Sequence, residues 1–242
     1  MRSRLIVVLA LLVLLAVAAP AAADDDSQSD DLRTYEVTLT NRAATQPISP
    51  PVLVTHDRDI RFWQKGVAAN AGIIAIAEDG NPAVAVDMLV GVDGVTDVVN
   101  VGRPLTPRGT TFGDFTDSVT VTIHARPGDR LSFAGMLICT NDGFTGIDSL
   151  RLPNNNRTRV AYAGGYDAGS EINTERSEDI VDACSLLGPV VLDGDDNGNE
   201  NALVDAAGVV THHRGIVGES DLLSAHNWKR SILKVKVRTI NG

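Results

Sequence analysis

Three segments of the chain alternate apolar and polar residues with a period of two. Tyr35, Val37 and Leu39 interleave with Glu36, Thr38 and Thr40; Val119, Val121 and Ile123 with Thr120, Thr122 and His124; Leu233, Val235 and Val237 with Lys234, Lys236 and Arg238. Each run has one face for a core and one for water, which predicts half-exposed antiparallel strands. Shorter apolar runs predict further strands over residues 52–55, 98–101, 131–139, 159–163 and 190–192. Turn formers separate them, among them Pro47 to Pro51, Arg126-Pro127-Gly128-Asp129, Asn141-Asp142-Gly143 and Pro153-Asn154-Asn155-Asn156. Helical spacing is scarce: residues 68–78 form one candidate with Gly80 as its C-terminal cap, and residues 177–184 a weaker one. The pattern predicts a mainly β protein, an antiparallel β-sandwich with one or two short helices and long loops. No internal repeat or Gly/Ser/Pro linker divides residues 33–242, so they are read as one domain.

The first residues change the compartment. Arg2 and Arg4 precede an apolar run from Leu5 to Ala18, and Ala21-Ala22-Ala23 supplies small residues for cleavage. Residues 1–23 are therefore read as a secretory signal peptide. The run is shorter than the roughly 20 apolar residues a membrane-spanning helix needs, and no later run approaches that length. Residues 24–32 read as an acidic disordered linker. The expectation is a secreted or periplasmic protein with no membrane span in its mature form.

The 242-residue chain carries 21 Lys and Arg against 31 Asp and Glu, a formal charge of −10. Losing Arg2 and Arg4 with the leader takes that to −12. Such a chain repels nucleic acid and anionic membranes; it suits divalent cations or basic partners, or is simply kept soluble by its charge. The two cysteines, Cys139 and Cys184, form a disulfide in an oxidising compartment, the alternative being two buried thiols. The bridge stabilises by roughly 4 kcal/mol in the chain-entropy model.

Sequence signals for catalysis are sparse. There is no Gly-x-Ser-x-Gly elbow, Cys-His signature or phosphate loop. His212 and His213 are adjacent, so on a strand they point to opposite faces. His56 beside Asp57 reads as a loop-capping residue or a base. An envelope hydrolase using His56 or His213 with a nearby carboxylate is the alternative to a non-enzymatic module.

Acidic loops offer a second chemistry. Asp193-Gly194-Asp195-Asp196-Asn197-Gly198 begins like a calcium loop, but Val204 stands where a bidentate Glu is required. Asp142 and Asp167, with Glu171, each lie where a predicted strand gives way to a Gly-containing loop. If those strands are neighbours, the three carboxylates can converge on Ca²⁺; otherwise they are ordinary turn residues.

Five stretches carry a family resemblance: Tyr35-Glu36-Val37-Thr38-Leu39-Thr40-Asn41; Pro47-Ile48-Ser49-Pro50-Pro51-Val52 with Thr55-His56-Asp57; Ala77-Glu78-Asp79-Gly80; Thr140-Asn141-Asp142-Gly143-Phe144 with Gly146-Ile147-Asp148-Ser149-Leu150; and Tyr166-Asp167-Ala168-Gly169-Ser170-Glu171. In this order the chain resembles the spondin domain of F-spondin, mindin and bacterial secreted single-domain proteins. The resemblance implies an antiparallel β-sandwich, a calcium ion at one end and a role in matrix or cell adhesion. It places family ligand positions at Asp142 and Asp167, with Glu171 replacing an aspartate. A further family ligand, an upstream glutamate, has no counterpart in residues 119–125, where no acid occurs. The thrombospondin-type repeats of animal members are absent, so their heparin and partner functions are not implied. The expected partner is a surface protein or a glycan.

Overall fold

Strand β1 (Arg33–Asn41) lies between β6 (Ser118–Ala125) and β12 (Leu233–Asn241), and β9 (Thr158–Ala163) flanks β12. These four strands form one antiparallel sheet, and the computed structural model describes residues 32–154, 157–188, 208–229 and 231–241 of the chain. All three alternating runs belong to this sheet, with Val37 opposite Val121 on one side and Val237 on the other. Its outer face is wet. There Thr38 and Thr120 share a hydroxyl hydrogen bond of 2.9 Å, and Arg238 pairs with Glu36 at 3.0 Å.

The second sheet has six strands: β3 (Val95–Asn100), β2 (Val52–His56), β7 (Arg130–Met136), β8 (Gly143–Arg151), β10 (Gly165–Asp167) and the two-residue β11 (Thr211–His212). A small separate hairpin joins β4 (Thr111–Phe112) to β5 (Phe115–Thr116). The six-stranded sheet is covered on both sides. On its inner face Leu53, Leu131 and Phe133 meet Tyr35, Val37, Ile123 and Val235 of the first sheet. On its outer face Val52, Val54, Ala134, Met136 and Phe144 meet Ile73, Ile76 and Ala77 of α1 (Ala71–Asp79) and Ala85 and Leu89 of α2 (Ala83–Leu89). The result is a β-sandwich with a third, helical layer. Double coverage explains why β2 is buried at all five positions and shows no alternation.

Helix α1 begins and ends where its sequence permits. The Asn70 side chain accepts the Ile73 N–H at 3.0 Å, and Gly80 takes the left-handed conformation (φ 63°) that lets its N–H close the last turn. The sequence reading extended β7 to residue 139, but the strand ends at Met136, where the chain turns through Asn141 and Asp142 into β8. The helix expected over 177–184 is instead a 3₁₀ turn, Ser177–Asp179, followed by α3 (Ala183–Leu187). Helix α2 was not foreseen. The leader, almost all of the 24–32 linker, the strand expected at 190–192 and the loop 193–198 lie outside the described residues.

Cys139 and Cys184 are bonded, with Cα atoms 4.9 Å apart. The bridge ties the end of the β7 segment to α3, and so fixes the loop between β10 and α3 against the β7–β8 turn.

Candidate functional site

The β7–β8 turn and the loop after β10 meet at one end of the six-stranded sheet. Asp167 lies opposite Gly143 in the β8–β10 register, and the Ala168 N–H donates to the Asp142 carbonyl at 3.1 Å. The two predicted strand-end aspartates are thus brought to neighbouring positions. Asp142 is fully buried. Its Oδ2 accepts the N–H groups of Ser170 at 2.8 Å and Glu171 at 3.1 Å and the Ser170 hydroxyl at 3.3 Å. Its Oδ1 is buried and meets no donor. A buried acceptor without a partner is costly, so this oxygen is the anomaly of the site.

Glycine shapes the loop. Gly169 adopts φ 70°, and its N–H returns to Asp167 Oδ1 at 2.9 Å, while Asn173 donates to Oδ2 at 2.6 Å. A Cβ at position 169 would stand 2.7 Å from the Val209 backbone. Glu171 follows, buried, with Glu78 and Asp79 of α1 and Asp179 of the 3₁₀ turn around it.

These carboxylates raise one another. Burial, reinforced by the charge of Asp167, pushes Asp142 up to about 6 against the hydrogen bonds it accepts. Burial and then the charges of Glu78, Asp142, Asp179 and Asp79 push Glu171 up to about 8. Glu78 is raised by burial although Ser170 hydrogen-bonds it. By contrast Glu175, equally buried at φ 56°, is satisfied by the N–H groups of Val217 at 2.8 Å and Gly218 at 2.7 Å. Glu175 is a structural clamp, whereas Asp142 keeps one buried oxygen that no donor meets.

His213 lies near this group. Its Nδ1 accepts the Gly215 N–H at 2.9 Å, its ring packs on Trp228, and its Nε2 is buried without a partner. Desolvation holds it down at about 4, so it is neutral at physiological pH. His212 points the other way, exposed and stacked on Tyr166 at 5.1 Å. Among the described residues, the one trio of His, Cys, Asp or Glu ligand atoms within 4.8 Å of one another is Cys139, Cys184 and His226. Both of its sulfurs are in the disulfide. The acidic carboxylates therefore stand wider apart, as like charges should.

His56, the other histidine singled out, makes a different arrangement. Its Nδ1 faces the Asp57 carbonyl at 2.7 Å, and a carbonyl only accepts, so Nδ1 holds the proton and Nε2 faces the Ser132 hydroxyl at 2.7 Å. Asp148 lies 3.3 Å from that hydroxyl, not on the imidazole. His56 and Ser132 are both fully buried. A serine–histidine pair is present, then, but without a carboxylate on the imidazole and without access for a substrate. Sequence spacing gave no hint of it, because Ser132 lies in a strand with no elbow motif.

Three members of the acidic group were also missed: Glu78 and Asp79 come from a helix end and Asp179 from a 3₁₀ turn, none of them adjoining either aspartate in sequence. No known family model and no curated protein matches the chain.

Proposed function

We propose that the chain is a non-enzymatic binding and adhesion module of the spondin type, exported from the cytoplasm and stabilised at one end by a calcium ion. The single observation that carries the reading is the partnerless, buried Oδ1 of Asp142 within a ring of raised carboxylates. Asp142, Asp167 and Glu171 supply hard oxygen donors from a turn and a loop, and a flexible oxygen shell of that kind suits Ca²⁺ better than the strict octahedron of Mg²⁺. Glu78, brought in on α1, provides an upstream glutamate for the same ion. Bound there, the cation supplies the charge that these side chains lack and draws the β7–β8 turn, the β10 loop and α1 together. It has no part in a reaction. The β-sandwich that the spondin resemblance implies agrees with the observed architecture, and the buried state of His56 and Ser132 supports binding over hydrolysis.

The test is thermal unfolding of the purified protein with Ca²⁺ and with chelator. At a hundredfold excess over Kd, calcium should raise Tm by roughly 5–10 °C, and Asp142→Asn should abolish the rise. A chelator-insensitive Tm in the wild type sinks the calcium reading. Ester or glycoside turnover lost in His56→Ala would replace the module reading by the hydrolase alternative.

A further inference from the structure

At the far end of β8 the charge is reversed. Two adjoining grooves, of about 510 Å³ and about 630 Å³, open beside Arg151, and both are lined by Arg130, Arg151 and Arg159. Arg157 is added in the first groove and Arg58 and Arg61 in the second. Six arginines therefore converge on a chain whose overall charge is −10.

The aspartates nearby pair with only two of them. Asp148 pairs with Arg61 at 3.4 Å and Asp59 with Arg58 at 3.9 Å. Asp129 Oδ2 accepts the Thr96 hydroxyl at 2.6 Å and the Arg126 N–H at 2.8 Å. Arg130, Arg151, Arg157 and Arg159 have no ion pair or side-chain hydrogen bond with any described residue. Moreover, Arg130 and Arg151 are direct cross-strand partners. Like charges placed opposite each other destabilise a sheet, so the fold carries this pair at a cost.

The backbone beside the grooves is distorted as well. Leu131 pairs with Leu150 and Phe133 with Ile147, so Asp148 and Ser149 together oppose Ser132 in a β-bulge. Ser149, not a glycine, sits at φ 57°. Its N–H donates to the Ser132 hydroxyl at 2.8 Å, and its own hydroxyl accepts from Arg61 at 3.0 Å. Bulges re-aim side chains where a site is built, and a non-glycine in this region is held there by its surroundings.

We propose that the joined grooves form an oxyanion site, and that its ligand is a sulfate, phosphate or carboxylate group carried on a saccharide. Guanidinium groups bind such anions through paired, charge-assisted hydrogen bonds. Ser149, Asn154 and Thr158 border the grooves with groups suited to sugar hydroxyls. A nucleic acid is disfavoured: the acidic body repels a densely charged polymer, and the one aromatic lining residue, Tyr35, is buried and offers no ring for stacking. This deepens the binding-module reading by naming a ligand chemistry, and it rests on that reading in taking the ligand as bound, not converted.

The experiment is calorimetric titration of the full mature chain with a sulfated dextran oligosaccharide and with unsulfated dextran of the same length, in calcium and in chelator. The sulfated form should bind, more weakly as salt rises, and the unsulfated form should not. Arg151→Gln should weaken binding about tenfold and Arg130→Gln with Arg151→Gln about a hundredfold, as expected for lost charge-assisted bonds, while Arg42→Gln stays at the wild-type value. Equal binding of both dextrans, or of wild type and double variant, overturns the site. Tighter arginine-dependent binding of single-stranded DNA or anionic phospholipid vesicles overturns the saccharide assignment. The double variant relieves a repulsion, so its unchanged circular dichroism serves as the folding check. Asp142→Asn separates the two proposals. It should erase the calcium response and leave sulfated-dextran affinity intact. Loss of the arginine effect with the calcium response intact defeats this inference alone.

Discussion

One strand, β8, has unlike charge at its two ends. It starts beside the buried Asp142 turn and finishes, about 27 Å further on at 3.3 Å per residue, at Arg151 and the arginine grooves. Both ends concentrate like charge, but in different media. At the acidic end the carboxylates are buried, so repulsion and desolvation combine and protonation is favoured. At the basic end the guanidiniums are largely solvated and remain charged, and water screens their mutual repulsion. Burial, not charge count, decides which cluster strains the fold. The acidic end should govern stability; the basic end should govern recognition.

The largest effect should come from unlocking the acidic end. Replacing Cys139 and Cys184 by serine removes a bridge closing a separation of 45 residues, and should cost about 4 kcal/mol of unfolding free energy in denaturant titration. Calcium affinity should fall with it and sulfated-dextran affinity should not. Equal losses at both ends would mean that the ends are coupled.

Next is Glu171→Gln. In chelator at neutral pH this variant should be more stable than wild type by about 1–2 kcal/mol, because glutamine is neutral without the proton that the raised Glu171 must take up on folding. In calcium it should be the less stable of the two. A variant that loses stability in both conditions would show Glu171 to be a structural partner and not a ligand.

The pH profile tests the same end without mutation. Glu171 rises from 4.5 to about 8 and Asp142 from 3.8 to about 6 in the folded protein, so the native state binds more protons than the unfolded state between those values. Their contribution is best at low pH and is lost as pH rises, for Glu171 through to about 8. His213, lowered from 6.5 to about 4, works the other way, and its contribution is lost as pH falls through that interval. Urea unfolding in chelator should therefore show stability falling from pH 6.5 to 8, and calcium should flatten or invert that slope. A chelated stability that rises over this window contradicts the raised carboxylates.

The smallest stability effect belongs to the basic end. Arg130→Gln should raise stability by a few tenths of a kcal/mol, since it removes a like charge from a directly opposed pair. A loss larger than that would show that the arginine stem packs against something essential.

How far the sequence reveals this molecule follows the same rule of exposure. β1, β6 and β12 are legible because their sheet has one wet face, so polarity alternates. β2 and much of β7 are buried on both faces and lose the pattern. Helix α2 was hidden because Ala83-Val84-Ala85-Val86 alternates in size like a strand, and only the packing of Ala85 and Leu89 on one side shows the helical period. Asp142, Asp167 and Glu171 were legible through the glycines that shape their loops. Glu78 and Asp179 were not, because tertiary folding alone brings them near. The arginines that line the grooves run from position 58 to 159 with no shared motif, so no reading along the chain collects them.

The placement of β1 sets an order of events. It is the first of the twelve described strands, yet it pairs along nearly its whole length with β12, the last of them, and with β6. Until β12 has been synthesised, one row of β1's backbone donors and acceptors has no partner in the finished pattern, and Val37 and Leu39 lack the apolar neighbours Val237 and Val235. Pairings so distant in sequence fold slowly, and unpaired edges of this kind recruit other chains. A nascent chain halted before Leu233 should therefore be aggregation-prone although eleven of the twelve described strands have already been synthesised. For this molecule the last nine-residue strand is the lock, and the time spent waiting for it is the hazard.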